Sequence, residues 1–340
     1  MPIDRAEGAS DRPRTGGPPP ADGPSQPGGP SRPGPPHGHG TDERLRTVHI
    51  EPLGRFADAS NATLLVRLLD GDTPTLDELV GELGREPTLD DLDPEHLAVY
   101  KPRRGEAPLW DFPQGTLHRR EVAAYEVSEA LGWDLVPVTV LRDDGPFGPG
   151  SVQRFVAHDP SLHYFRLLEV GSEGVLATLR RMVVFDLVID NADRKGGHVL
   201  LEGVDDPDRV DDLGSVDEPR GVDDLRAVDD GTLDGEVTGV PVPEEPLDGR
   251  IQLVDHGVSF NVERKLRTVA WEFAGEPLDD DVLGDLAGLQ TALEGPLGDR
   301  FAELLSPEEV AVLLSRVEAL REIAVLPEPW GPRAYPWPPL

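Results

Sequence analysis

The chain has 340 residues, 37% of them apolar, enough for an ordinary core in one large domain or two modest ones. Its 32 Lys and Arg face 65 Asp and Glu, a net charge of -33 that disfavours attraction to nucleic acid or to an anionic membrane surface. It holds no cysteine, which excludes disulfides, thiolate metal sites and cysteine nucleophiles. "MPIDRAEGASDRPR" is not a leader of basic then apolar character and no run of about 18 apolar residues occurs, so a soluble cytoplasmic protein is the expectation.

Residues 1–43 are a Pro/Gly tract with almost no large apolar side chains, expected to be disordered up to and including "HGHG". From Thr47 the pattern turns to short strands, "TVHIEPLGRF", "NATLLVRLL" and "HLAVYKP", with "TPTLDELVGELGREPTLDDLDPE" inserted between the second and third. "GTLHRREVAAYEVSEALG" sets Val122, Ala123, Tyr125, Val127, Ala130 and Leu131 at helical spacing and closes on Gly132. "LVPVTVLR" and "GSVQRFVA" are two further strands. "EGVLATLRRMVVFDLVIDN" predicts a long helix, followed by the polar turn "ADRKGGH" and then the strand "HVLL".

Residues 203–249 are acidic, repeat Val-Asp-Asp and contain no aromatic residue, so they read as a solvated, disordered insertion. Looping them out joins "HVLL" to "IQLVDHG" as a hairpin. Helices follow around "DDVLGDLAGLQTALEG" and "SPEEVAVLLSRVEALREI", the second opening with Ser306 and Glu309 as a capping box. The closing "PEPWGPRAYPWPPL" is extended; docking on the surface is its expected fate, service as a ligand for another domain the alternative.

These pieces order a set of candidate site residues. A small sheet with Lys101 at the end of its third strand, then a helix with Glu121 near its start, is how a kinase-type lobe presents a cation to phosphate oxygens and holds it. Glu126 and Glu129 are rivals for the glutamate. Between the first two strands, Ser60, Asn61 and nearby backbone N–H groups offer either a nest for phosphate or a plain hairpin turn. Gln153, Arg154 and Phe155 lie on the strand expected to run into a hinge against an adenine.

In "NADRKGGH", Asp193 is the candidate base for an attacking hydroxyl, and Arg194 and Lys195 are candidates for neutralising transferred phosphate. His198 is a candidate metal ligand, and so is Asp255, which follows a strand and precedes His256 and Gly257. A polar reverse turn is the alternative for this stretch.

"YKPRRGEAPLWDFPQGTLHRREVAAYEVSEALGWDLVPVTVLRDDGPFGPGSVQRF", "NADRKGGHVLL" and "LVDHGVSF" resemble an actinobacterial family classed with the phosphatidylinositol 3-/4-kinase-like proteins, over roughly residues 47–202 and 250–330. The resemblance implies an α+β, two-lobed protein-kinase-like fold: a small antiparallel-sheet amino lobe at 44–157, a mostly helical carboxy lobe at 158–330 and an extended tail at 331–340. It implies ATP in the cleft with Mg2+ or Mn2+, Lys101 as the nucleotide-binding lysine, Asp193 as the catalytic aspartate and Asp255 as the metal aspartate.

Lipid kinases of that superfamily show D-R-H-x-x-N where this chain reads D-R-K-x-x-H, so Lys195 replaces the histidine and His198 the asparagine. Imidazole suits manganese or softer ions better than magnesium. The expected activity is γ-phosphate transfer to an unidentified hydroxyl acceptor, a protein or small molecule ahead of a lipid, because enzymes of phosphoinositides offer basic surface. Here only Arg264, Lys265 and Arg267 offer a local basic rim. A nucleotide-binding pseudokinase acting as a scaffold and an AMP-transferring enzyme of the same fold are the alternatives. No nucleic-acid partner and no stable membrane association are expected; the acidic insertion and proline-rich tails are candidate docking segments for proteins.

Overall fold

A computed structural model gives the fold and describes residues 39–56, 59, 61–71, 73–203, 216–217 and 245–340. The expectations for residues 1–38, for Ser60 and for 204–215 and 218–244 lie outside the described residues.

Five strands form the body of one antiparallel sheet: β1 (His49–Phe56), β2 (Leu64–Leu69), β3 (Leu97–Pro102), β4 (Thr139–Gly145) and β5 (Gly148–Arg154). The two-residue period of a strand sends Leu64, Val66 and Leu68 of β2 into the main core and Leu65 to the opposite face, where it meets Leu97 and Phe155. Helix α3 (Leu117–Leu131) covers the first of these faces through Val122, Ala123, Val127 and Leu131 and ends on Gly132 with φ 68.

Helices α4 (Tyr164–Val170) and α5 (Glu173–Ile189) lead to a second, two-stranded sheet of β6 (Val199–Glu202) and β8 (Arg250–Leu253). Between these two in sequence, β7 (Val216–Asp217) lies inside the insertion expected to be disordered and pairs with β1, which extends the first sheet to the order β4-β5-β3-β2-β1-β7. Helices α6 (Asp280–Leu293), α7 (Pro296–Leu304) and α8 (Pro307–Ile323) complete a mostly helical second half. The Ser306 capping box starts α8 as its sequence indicates.

Three segments depart from the sequence reading. Residues 39–43, assigned to the disordered tail, open a helix, α1 (His39–Thr47), which is held from outside: Arg44 pairs with Asp70 at 2.6 Å, Leu45 enters the core, and Arg142 donates to the carbonyls of Leu45 and Val48. The far end of the acidic insertion is docked, because the Leu247 N–H donates to Val170 and its carbonyl accepts from Ser172, both at 2.7 Å. A helix over Leu76–Leu83, α2, occupies the inserted stretch between β2 and β3, opened by a Thr75 capping box. No helix among the described residues is long and apolar enough to cross a membrane.

Candidate active site

Pairing of the small sheet brings distant motifs side by side. β6 and β8 run antiparallel with Val199 opposite Leu253, so His198 before one strand and Val254 and Asp255 after the other are neighbours. The Val254 N–H donates to the His198 carbonyl at 3.1 Å. Above them β3 carries Lys101, whose Nζ donates to Glu121 Oε1 at 2.5 Å and to Asp255 Oδ1 at 3.0 Å. The second oxygen of Glu121 accepts the His256 N–H at 3.0 Å, tying α3 to the loop after β8. Asp255 adopts φ 61, a conformation rare for a residue with a Cβ, and its Oδ2 stands 3.5 Å from His198 Nε2.

α3 is fixed in turn by Arg120, which donates to the Ser259 carbonyl at 2.6 Å and bonds Glu309 at the start of α8. Glu126 pairs with Arg300 at 3.0 Å, so of the three glutamates it is Glu121 that meets Lys101.

The turn after α5 is built around a buried ion pair. Arg194 donates to both oxygens of Asp186 at 2.9 Å, and both side chains are 0% exposed. Its remaining N–H groups reach the carbonyls of His198 and Val254, and its Nη2 lies 2.8 Å from His256 Nε2, which therefore accepts. Asn191 donates to Asp186 and accepts the Asp193 N–H at 3.0 Å, so the backbone at Asp193 is set from the helix below. Asp190 accepts the N–H groups of Lys265 and Leu266, which draws the segment beyond Asp255 against the same turn.

A cleft of about 370 Å³ opens over these groups. Phe56, Asn61 and Thr63 from the β1–β2 region, Val99 and Lys101 from β3, and residues 153–156 wall it on one side; Lys195, His198, Leu200 and Asp255 wall it on the other. Asp193 stands outside this lining, with its Oδ2 3.5 Å from Lys195 Nζ.

Protein Rv2133c of Mycobacterium tuberculosis is 38% identical to this chain over 317 residues, 84% of this chain and 90% of the relative. The chain belongs to the Rv2133c family. No protein-family model matches this chain. Among solved structures, the Helicobacter pylori proinflammatory kinase CtkA aligns with it at a TM-score of 0.38 and 11% identity, over 83% of this chain and 94% of that one, a likeness too low to bear on the fold.

In this member of the Rv2133c family, the structure brings Lys101, Lys195, His198 and Asp255 to one cleft, with Glu121 bonded to Lys101 and Asp193 beside Lys195, both outside the lining. Other candidates have different employment. Arg194, read as a neutraliser of phosphate, does not face the cleft: burial and the Asp186 carboxylate make it a brace under the turn. Gln153 and Arg154 line the cleft, yet the Gln153 amide donates to Thr139 Oγ1 at 2.8 Å and the Arg154 guanidinium pairs with Glu202 at 2.5 Å, joining the two sheets. Phe155 packs on Leu65 and Leu97. Asn61 accepts the Ala107 N–H at 2.7 Å and so pins the β1–β2 turn to the linker after β3.

Burial pulls the Lys101 ammonium down, but Asp255 and Glu121 outweigh it and hold it protonated, above its ordinary value. Lys101 holds the Asp255 carboxyl well below the usual range. Burial pushes Asp193 up to about 6, with Asp255 adding to the rise and Lys195 opposing it. Burial takes His198 down to about 4 against the pull of Asp255, and Arg194, Lys195 and Lys101 lower it further, so the imidazole is neutral at pH 7. The cleft thus presents a carboxylate, Asp255, and a neutral imidazole, His198, as the donors a divalent cation could take, with the Lys101 ammonium beside them as a fixed positive charge. Among the described residues no three His, Cys, Asp or Glu side chains cluster as a metal site by themselves.

Asp186, Asp190, Asn191 and His256 were not singled out from the sequence. A signal existed for the first of these: an acid inside "VVFDLV" has to be paired if the helix is buried.

Proposed function

We propose that this chain is an ATP-dependent phosphotransferase of protein-kinase-like architecture, in the phosphatidylinositol 3-/4-kinase-like group, acting on a hydroxyl of a protein or small molecule. The observation that carries the reading is Lys101, held between Glu121 and Asp255 at 2.5 and 3.0 Å, on β3 of a sheet whose first five strands lie in the order β1-β2-β3-β5-β4. That disposition lets a strand lysine meet nucleotide phosphates while a helix glutamate fixes it. A cleft of about 370 Å³ is also of ligand size.

Each residue then has a task. Lys101 binds phosphate oxygens. Asp193 orients the acceptor hydroxyl and takes its proton as the acceptor oxygen bonds to the γ-phosphorus and the bond to the β,γ-bridging oxygen breaks, releasing ADP. Lys195, 3.5 Å from Asp193, offsets charge on the transferring group. Asp255 and His198 would hold one divalent cation, which would supply charge neutralisation and orientation of the triphosphate.

Net charge and the local bases favour a protein or small acceptor over a lipid surface. Lys265 is engaged by Glu263 at 3.0 Å and Asp111 at 3.4 Å, and Arg264 lies over the Trp330 ring at 3.9 Å, so much of the basic rim is already occupied.

ATP labelled at the γ or the α phosphate, incubated with the full chain and Mg2+ or Mn2+, tests the proposal. Label from the γ position is expected to leave ATP, as ADP formation or self-modification, and to do so about 10²- to 10⁴-fold more slowly in Asp193→Asn. Transfer of α label, or no consumption of ATP with either ion, contradicts it.

A further inference from the structure

Lys101 shares its face of the first sheet with a polar group that the phosphates do not need. Directly opposite residues of an antiparallel ladder point the same way, and so do residues two apart on one strand. Val99, two residues before Lys101, stands opposite Gln153 of β5, which stands in turn opposite Thr139 of β4. These four side chains therefore share the cleft face, while Tyr100, Val140 and Val152 between them enter the main core.

Gln153 is 5% exposed and lines the cleft beside Val99 and Phe155. Its amide has one orientation. The Thr139 hydroxyl donates to the Pro137 carbonyl at 2.7 Å, so its oxygen is left as the acceptor of the Gln153 Nε2–H at 2.8 Å. Gln153 Oε1 is thereby turned away from Thr139. That oxygen accepts from no described residue yet is not sealed in: it keeps accessible surface, and the cleft is where Gln153 opens to solvent.

The backbone next to it is already employed. The Phe155 carbonyl accepts from Arg154 Nη1 at 3.3 Å, and the Val156 carbonyl lies 2.9 Å from His158 Nδ1. Both carbonyls are thus engaged, beside a side-chain oxygen that no described group has taken.

We propose that Gln153 reads the base of the nucleotide: its Oε1 accepts a hydrogen bond from the 6-amino group of adenine, and Thr139, which fixes the amide, is the positioning residue behind it. The inference rests on the nucleotide reading of the cleft and supplies the reason for its choice of base. Guanine and hypoxanthine carry an oxygen at that position, which sets acceptor against acceptor. A buried acceptor left unmatched lowers affinity by about tenfold or more.

Calorimetric titration of the full chain with Mg2+ or Mn2+ and ATP, ITP or purine riboside triphosphate, which has no 6-substituent, tests this. ATP is expected to bind about tenfold or more tightly than the other two. Gln153→Leu should bring the three within about threefold of one another. Thr139→Val frees the amide to turn its NH2 group toward the cleft, so it should narrow the ratio of ATP to ITP affinity through a gain for ITP, which mere loss of packing does not give. Should Gln153→Leu fail to fold, the ratios in the parent chain and in Thr139→Val decide. Equal binding of ATP and ITP by the parent, or a ratio unchanged in the variants, overturns the inference and leaves the cleft a nucleotide site. Absence of binding by all three triphosphates overturns it together with the phosphotransferase reading.

Discussion

Replacing Arg194 with methionine keeps the length of the side chain and removes the charge that Asp186 requires. Asp186 would retain one donor, Asn191 Nδ2 at 3.1 Å, in a site where it is 0% exposed. The carbonyls of His198 and Val254 would lose their guanidinium donor, and so would His256. Removing one partner of a buried pair costs about 3–5 kcal/mol, because the other charge stays buried and uncompensated. At about 2–4 °C per kcal/mol for a domain of this class, the melting temperature should fall by roughly 6–20 °C. Urea and thermal denaturation of Arg194→Met measure the loss. The double variant Asp186→Leu/Arg194→Met, which removes both charges, should regain more than half of it. An Arg194→Met protein within about 1 kcal/mol of the parent, but with weakened nucleotide binding, would refute the brace and restore Arg194 to the cleft.

Three further outcomes follow from the site. The pH profile of kcat/KM should rise about tenfold per unit on the acid side and level off above about 6, because Asp193 is raised to about 6 by burial and serves as a base only when deprotonated; a profile flat from pH 5 to 8 removes it from that role. His198→Asn should shift the ratio of Mn2+- to Mg2+-supported turnover toward Mg2+, since an amide oxygen replaces a neutral imidazole; an unchanged ratio argues that His198 holds no metal. Deleting residues 327–340 should raise amide hydrogen exchange at Gly196, whose N–H donates to Pro339 at 2.7 Å, and near Thr268, whose N–H donates to Ala334 at 3.0 Å. Unaltered exchange there would mean that the docked tail does not steady the turn.

Strand alternation and helix spacing sufficed for the order of β1 to β5, for α3, α5, α6 and α8, and for the β6–β8 hairpin. They are local patterns with strong apolar periods, and tertiary packing agrees with them. α1 was not legible because, among its residues whose burial is described, Leu45 alone enters the core, and what holds it is Asp70 and Arg142 from elsewhere in the chain. Lys101 could be placed because it lies within the β3 ladder, opposite Ser151, and Asp255 because it follows closely on the strand β8. Arg194 was misread for the converse reason: in "DRKGG" it resembles an exposed cation, and its partner lies eight residues back inside the helix.

The central claim, that Lys101 and Asp255 with His198 form one site for a metal-loaded triphosphate, is tested most directly by titrating ATP into the full chain with Mg2+ or Mn2+ by calorimetry. One saturable, cation-dependent site is expected, weakened by about tenfold or more in Lys101→Met and again in Asp255→Asn. Heat of binding that is absent with both cations, or that persists undiminished in both variants, contradicts it.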